Sequence, residues 1–203
     1  MILYGAPMPA PNPRRVRIFL AEKGIDLPET AVSLMQREHK SPEHRARNSL
    51  GQVPTLVLDD GTAISETVAI CRYFEETQPD PPLFGTTPVE KALVDMWVRR
   101  IEFILMTPVG NFWRHAHPRT AALLTQYKDF GESNREAYEG ALRWLDQELA
   151  ERPFVAGETY TIADICALTT VDFADWIGLP VGEEHGRVRA WHGRVSARPS
   201  AQA

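Results

Sequence analysis

Strand and helix signals alternate over the first 77 residues and only helix signals follow, so the chain predicts a small α/β unit joined to an all-α one. Three observations carry this. A β-branched, apolar run at 55–58, the dipeptide Asp60-Gly61 and a return at 62–64 form a hairpin pattern. Residues 79–88 are dense in proline and glycine, as a linker between folding units is. Beyond them apolar residues recur at helical spacing. The expected division is 1–79, a linker at 80–88, and a helical domain at 89–203.

Residues 2–4 predict a short first strand. Pro7, Pro9, Pro11 and Pro13 then stiffen a loop, because each fixes its own φ and pushes its predecessor toward extended geometry. Asn12-Pro13 reads as a helix start with Asn12 as N-cap. The helix runs over 14–23, buries Val16, Ile18, Phe19 and Leu20, and stops at Gly24. A second strand is expected at 29–34, and a short helix after Ser41 as N-cap with Pro42 in its first position. The hairpin follows, with Val53-Pro54 as a turn just before it, since proline cannot donate to a sheet ladder. Ser65 reads as the cap of a helix over 66–77. The order is β-α-β-α-β-β-α.

In the second half one long helix is expected over 89–106, with a kink or break at 107–110. A helix over 111–120 carries Phe112, Trp113, His115 and His117, so the two histidines, two residues apart, would point to different sides. A further helix is expected near 133–150. Thr161-Ile-Ala-Asp164 has capping-box spacing before an apolar run at 165–173, and 186–197 suggests a last helix.

The chain has 203 residues, 43% of them hydrophobic and 24% charged, enough to bury a core without staples. Its net charge of −5 offers no polybasic surface for nucleic acid or membrane. Cys71 and Cys166 lie far apart in apolar patterns and read as buried core residues. No Cys/His spacing of metal type occurs, so no metal is expected. The start lacks a basic, then apolar, leader, and no run reaches membrane-span length, so a cytoplasmic protein is expected.

Taken in order, Gly51-Gln-Val-Pro54, Ser65-Glu-Thr-Val-Ala-Ile70 and Thr161-Ile-Ala-Asp164 resemble the cis-proline loop, the γ-glutamyl motif and the helical capping box of the glutathione S-transferase family. The resemblance runs from Tyr4 to about Pro199 and implies a thioredoxin-like first domain, a glutathione cosubstrate and a homodimer. Asn12-Pro-Arg-Arg-Val-Arg-Ile18 and Phe112-Trp-Arg-His-Ala-His117 are similar to a bacterial and fungal subgroup, that of yeast Gtt2, which lacks the usual catalytic Tyr, Ser or Cys.

The resemblance also assigns roles. Val53, with Pro54 cis, would present its backbone to the cysteinyl part of glutathione. Thr67 would hold the γ-glutamyl carboxylate at a helix N-terminus, and Glu66 would face the ammonium, the lesser alternative being that Glu66 merely complements its own helix dipole. Gln52, His39 and Lys40 are candidates for the glycine carboxylate, the last two also fitting a solvated helix start. Ala10-Pro-Asn12 occupies the place of the usual thiol-activating residue and has neither hydroxyl nor thiol. The thiolate donor could then be the first helix's N-terminus near Arg14 and Arg15, the Asn12 amide, or a water or proton held by His117 or, second, His115. Tyr4 is a minor candidate. Met8, Phe103, Met106, Phe112 and Trp113, with Trp176 as a further guess, could line an apolar electrophile site between the two halves. The expected function is conjugation of glutathione to hydrophobic electrophiles, a glutathione transferase. The alternatives are glutathione-dependent disulfide or peroxide reduction, and non-catalytic binding of glutathione or a hydrophobe.

Overall fold

The computed structural model describes all 203 residues, and the chain divides into two compact units, Met1–Leu83 with Pro199–Ala203, and Phe84–Arg198. The first unit holds a four-stranded sheet in the order β2-β1-β3-β4, built from β1 (Ile2–Gly5), β2 (Glu29–Ala31), β3 (Thr55–Val57) and β4 (Ala63–Ser65). β1 pairs parallel to β2 and antiparallel to β3, and β3 pairs antiparallel to β4 with Thr55 opposite Ser65. The parallel pair needs a crossover, supplied by α1 (Pro11–Lys23). α2 (Pro42–Arg47) and α3 (Thr67–Thr77) complete the thioredoxin-like unit, whose core gathers Leu3, Val16, Ile18, Phe19, Leu56 and Ile70.

Local chemistry explains the element ends. Ser41 Oγ accepts from the His44 N–H, the N-cap its position before Pro42 implies. Gly24 takes a left-handed φ of 64° to end α1. Two expected caps move. α1 begins at Pro11 with Ala10 as N-cap, so Asn12 lies inside the first turn; Pro11, with φ preset for a helix and no N–H to lose, starts the helix earlier. Ser65 is the last residue of β4 and is held in the ladder opposite Thr55, which leaves Glu66 as the N-cap of α3.

A buried ion pair fastens the end of this unit. Lys23 Nζ lies 2.6 Å from Glu75 Oε2 and donates to the carbonyls of Gln78, Pro79 and Pro81 at 2.9, 2.9 and 2.6 Å. The Glu75 carboxylate in turn accepts from the Leu83 N–H.

The second unit is helical: α4 (Pro88–Arg100), α5 (Thr107–His115), α6 (Lys128–Glu148), α7 (Ile162–Trp176) and α8 (Gly186–Ser196). The break expected at 107–110 lies earlier. A π-helical stretch, Ile101–Met106, joins α4 to α5, and Pro108 and Gly110 stay helical. Proline inside a helix lacks a donor and collides with the carbonyl four residues back. The wider turn relieves this, with the Thr107 N–H and Oγ1 both on the Glu102 carbonyl. The helix expected to reach 120 ends at His115, because Pro118 drives His117 into extended geometry (φ −68°, ψ 132°). α6 starts close against that end, where a Cβ on Gly131 would stand 2.6 Å from the Ala116 nitrogen.

The capping box of α7 forms with both arms. Asp164 is fully buried and accepts from the Val155 N–H (2.8 Å), Trp191 Nε1 (2.9 Å), the Thr161 N–H (2.9 Å) and Thr161 Oγ1 (3.3 Å). Burial raises its pKa to about 6 against the pull of those four donors, so it is a carboxylate at neutral pH. Cys71 and Cys166 are buried and form no disulfide, as their surroundings in the sequence suggest. No helix is long and apolar enough to cross a membrane.

Candidate functional site

In the first unit, two uncapped helix starts and one loop carry the candidate residues. The loop is tied from behind. The Gln52 carbonyl accepts from His44 Nε2 (2.8 Å), Asn48 Nδ2 (3.1 Å) and Thr55 Oγ1 (3.4 Å). Gly51 has φ 57°, and a Cβ there would stand 2.7 Å from the His39 carbonyl, so glycine is required on both counts. Val53-Pro54 is cis, and neither the N–H nor the C=O of Val53 joins a backbone hydrogen bond. The side chain of Gln52 is exposed.

Beside the loop, Lys40 Nζ donates to the carbonyls of Leu50 (3.0 Å) and Gly51 (2.7 Å), and burial, then Arg45 and Arg37, lower its pKa. His39 is half-buried with an unpartnered Nδ1, and burial, then Lys40, hold its pKa below the ordinary imidazole value. Neither is simply a solvated helix start.

Glu66 is exposed and takes φ 70°, ψ 121°, a region that side chains avoid and that clusters at functional sites. It makes no side-chain cap bond to α3. The N–H of buried Thr67 thus opens an uncapped helix, where partial positive charge favours an anion.

The start of α1 is narrower than the sequence suggests. Pro11 and Pro13 supply no N–H, and Arg14, at the fourth helical position, is the first able to close on the Ala10 carbonyl. Asn12 therefore owns the one free N–H of that turn. Arg14 and Arg15 are buried, and the Arg14 guanidinium donates to the Ala201 carbonyl (2.8 Å), which commits that side chain to the last residues of the chain. Tyr4 is half-buried, with the Arg47 guanidinium 4.3 Å above its ring.

In the second unit the two histidines occupy separate aromatic pockets. His117 packs on Trp113 (ring centroids 4.8 Å), Phe112 (6.4 Å) and Trp176 (6.5 Å). Its Nδ1 accepts the Arg119 N–H (3.3 Å), which puts the neutral ring's proton on Nε2. Burial, then Arg119, lower its pKa. His115, at the end of α5, lies between Tyr127 (5.6 Å) and Phe130 (5.4 Å), with Nδ1 accepting from the Tyr127 N–H (3.4 Å).

The apolar candidates divide. Phe103 (69% exposed) and Met8 (56%) offer open apolar surface. Met106 is half-buried with its sulfur 3.5 Å from Thr170 Oγ1, and Trp113 is half-buried against Phe173 and Trp176. Phe112 does not fit a lining role. It is buried beneath His117, with the Arg135 guanidinium 4.7 Å over its ring, because the helix turns that residue inward. Asn48, which no site motif of the sequence singled out, organises the whole loop from a buried position.

Profiles described as "Glutathione S-transferase, N-terminal domain" and "Glutathione S-transferase, C-terminal domain" match residues 10–77 and 110–199. Glutathione S-transferase 2 of Saccharomyces cerevisiae is 39% identical over all of this chain and 88% of its own length. The chain belongs to the glutathione S-transferase family. The expected enzyme class, a glutathione transferase, holds with that membership. The crystal structure of Gtt2 from Saccharomyces cerevisiae superposes with a TM-score of 0.93 at 38% identity, covering 100% of this chain and 99% of that one. Human glutathione S-transferase theta-2 is 32% identical over 91% of this chain and 76% of its own. The subgroup that Asn12-Pro-Arg-Arg and Phe112-Trp-Arg-His resemble is thus the one the similarity supports.

Proposed function

We propose that this transferase conjugates reduced glutathione to hydrophobic electrophiles, activating the thiol without a Tyr, Ser or Cys side chain. The observation that carries the reading is the pairing, in one unit, of a Val53 backbone free of backbone partners with the uncapped start of α3 at Glu66 and Thr67. An extended peptide segment takes one N–H and one C=O from Val53. The Thr67 N–H and hydroxyl take the γ-glutamyl carboxylate, and Glu66 takes the ammonium. The remaining N–H of Lys40, His39 Nδ1 and the exposed Gln52 amide suit the glycine carboxylate.

For the thiol, Asn12 offers two donors, its free backbone N–H and its side-chain amide, at the positive end of α1. Thiolate is the reactive form, and donors lower its cost near neutral pH. His117 adds a donor of its own: with Nδ1 committed to the Arg119 N–H, its Nε2–H can polarise a water toward sulfur rather than take the thiol proton. His115 is built the same way and stands second. Met8, Phe103, Met106 and Trp113 are the apolar surfaces assigned to the electrophile. A homodimer in the cytoplasm and a role in detoxification complete the reading.

The test is turnover with a reactive aryl halide. Conjugation well above the rate of free glutathione at the same pH supports the proposal. Tight glutathione binding with no rate gain would make the chain a binding protein, and turnover confined to disulfides or peroxides a reductase. His117→Ala should lower kcat by about 10- to 100-fold with KM for glutathione nearly unchanged, the mark of a group that acts on the developing thiolate.

A further inference from the structure

His44 lies on α2, buried behind the loop that carries Val53-Pro54. We propose that it is a positioning residue for the ligand peptide: its ring aims the Val53 N–H at the cysteinyl carbonyl of glutathione. His44 acts through Val53, so the proposal rests on the glutathione reading above and adds the side chain that sets the direction of that donor.

A carbonyl only accepts, so the 2.8 Å contact between His44 Nε2 and the Gln52 carbonyl puts the ring proton on Nε2. The Gln52–Val53 bond is trans, and across a trans peptide the C=O and the N–H point in opposite directions. A donor that holds the Gln52 oxygen therefore turns the Val53 N–H, which has no backbone partner, to the opposite side. His44 is the shortest of three such donors, with Asn48 Nδ2 at 3.1 Å and Thr55 Oγ1 at 3.4 Å. Hydrogen bonds to a carbonyl also polarise its amide, which makes the same N–H a stronger donor.

The three donors differ in what else they hold. Asn48 Nδ2 also reaches Thr55 Oγ1 (3.2 Å), and Asn48 Oδ1 accepts from the Leu50 N–H (3.1 Å), so these two residues close the loop on itself. His44 comes from outside the loop. Its backbone is fixed without the ring: its N–H donates to Ser41 Oγ (3.1 Å) and its carbonyl accepts from the Asn48 N–H (2.9 Å). The ring meets Tyr4 of β1 edge-on, with centroids 6.5 Å apart. Removing the His44 donor thus leaves Asn48 and Thr55 to keep the loop closed and frees the peptide plane of Gln52–Val53 to tilt.

The test uses the full chain and three ligands, titrated directly or in competition. Glutathione and γ-glutamylcysteine both carry the cysteinyl carbonyl, and the second lacks the glycine. γ-Glutamylcysteamine keeps the γ-glutamyl group and the thiol but has neither that carbonyl nor the glycine. His44→Phe keeps a flat ring beside Tyr4 and removes the donor. It should weaken glutathione and γ-glutamylcysteine about 5- to 10-fold each and γ-glutamylcysteamine less than about 2-fold, a selectivity that general damage to the fold would not produce. His44→Met removes the donor with a flexible side chain and gives the same reading should the Phe variant fail to fold. His44→Gln, whose amide nitrogen reaches the place of Nε2, should recover glutathione affinity to within about threefold of the natural chain. Unchanged glutathione affinity in the donor-free variant, equal weakening of all three ligands, a loss that follows the glycine instead of the carbonyl, or no recovery in His44→Gln overturns the proposal and leaves His44 as a packing residue. A natural chain that binds no glutathione overturns the reading of Val53 instead.

Discussion

Glu66 joins two features that pull in opposite directions: an exposed carboxylate and a positive φ that costs about 1–3 kcal/mol for a residue with a side chain. A residue selected for stability there would be glycine. We therefore expect Glu66→Gly to raise the melting temperature or leave it unchanged, and both Glu66→Gly and Glu66→Ala to weaken glutathione binding by about 10- to 100-fold through the lost charged hydrogen bond. Calorimetric titration with glutathione decides it; unchanged affinity would mean the ammonium is held elsewhere. His117 gives a second expectation, this one in pH. Its folded pKa is depressed, by burial first and then by Arg119. The stability it contributes is therefore complete above its ordinary value of 6.5 and is lost as pH falls through the lower folded value. Nitrogen NMR should find Nδ1 unprotonated at pH 7 and a midpoint below 6.5. A midpoint at or above that value would mean that the ring is not held between Trp113 and Trp176 as described.

Among the elements, two polar networks stand out because each sits where apolar packing would be expected. Lys23 reaches from the last turn of α1 to Glu75 and to three carbonyls of the segment that closes the first unit. Its side chain is 0% exposed and that of Glu75 7%. Removing one member leaves a buried charge uncompensated, so Glu75→Ala should cost about 3–5 kcal/mol, read as a fall in the denaturant midpoint. A double change to Met and Leu should recover much of that loss, because two apolar groups carry no charge to bury. Asp164 is the matching case in the second unit. Asp164→Asn keeps the shape but turns an amide toward donors that need an acceptor, and should cost about 2–4 kcal/mol, whereas surface changes such as Lys91→Ala should cost little. These networks also mark the limit of what the sequence discloses. The capping box was readable because its two partners are three residues apart, and so was the hairpin, with Asp60-Gly61 between two β-branched runs. Lys23 and Glu75 are 52 positions apart, and Asp164 meets Trp191 across 27, so neither spacing leaves a local signal. The residues proposed to hold glutathione form a local pattern of the same kind: Val53-Pro54 and Glu66-Thr67 are short motifs on either side of one hairpin. Asn12 as N-cap and His117 on a helix were misread because prolines at 11 and 118 reset the helix ends.

On the scale of the whole molecule, the chain leaves the first unit at Leu83 and its last five residues return to it. Helical spacing at 186–197 gives no hint of this, because what brings Pro199–Ala203 back is a set of single polar contacts and not a periodic face. The Arg14 guanidinium donates to the Ala201 carbonyl in a buried setting, the Ser200 hydroxyl bonds Glu22, and Ala201 and Ser200 are themselves buried. All of these partners lie on α1, whose first turn carries Asn12. Deleting residues 199–203 removes one acceptor from a buried guanidinium and uncovers the face of α1 that Ala201 shields, a loss of about 2–4 kcal/mol. The expected result is a lower melting temperature with weaker protection of α1 amides in hydrogen exchange, while α7, whose core lies among Ile162, Ile165 and Leu168, keeps its protection. Arg14→Lys tests the same contact from the other side: it keeps the charge but shortens the reach to Ala201, and should reproduce part of the loss in α1 alone. Equal loosening of α1 and α7 in the truncated chain would show instead that the last five residues support both units, and the assignment of Pro199–Ala203 to the first would have to be withdrawn.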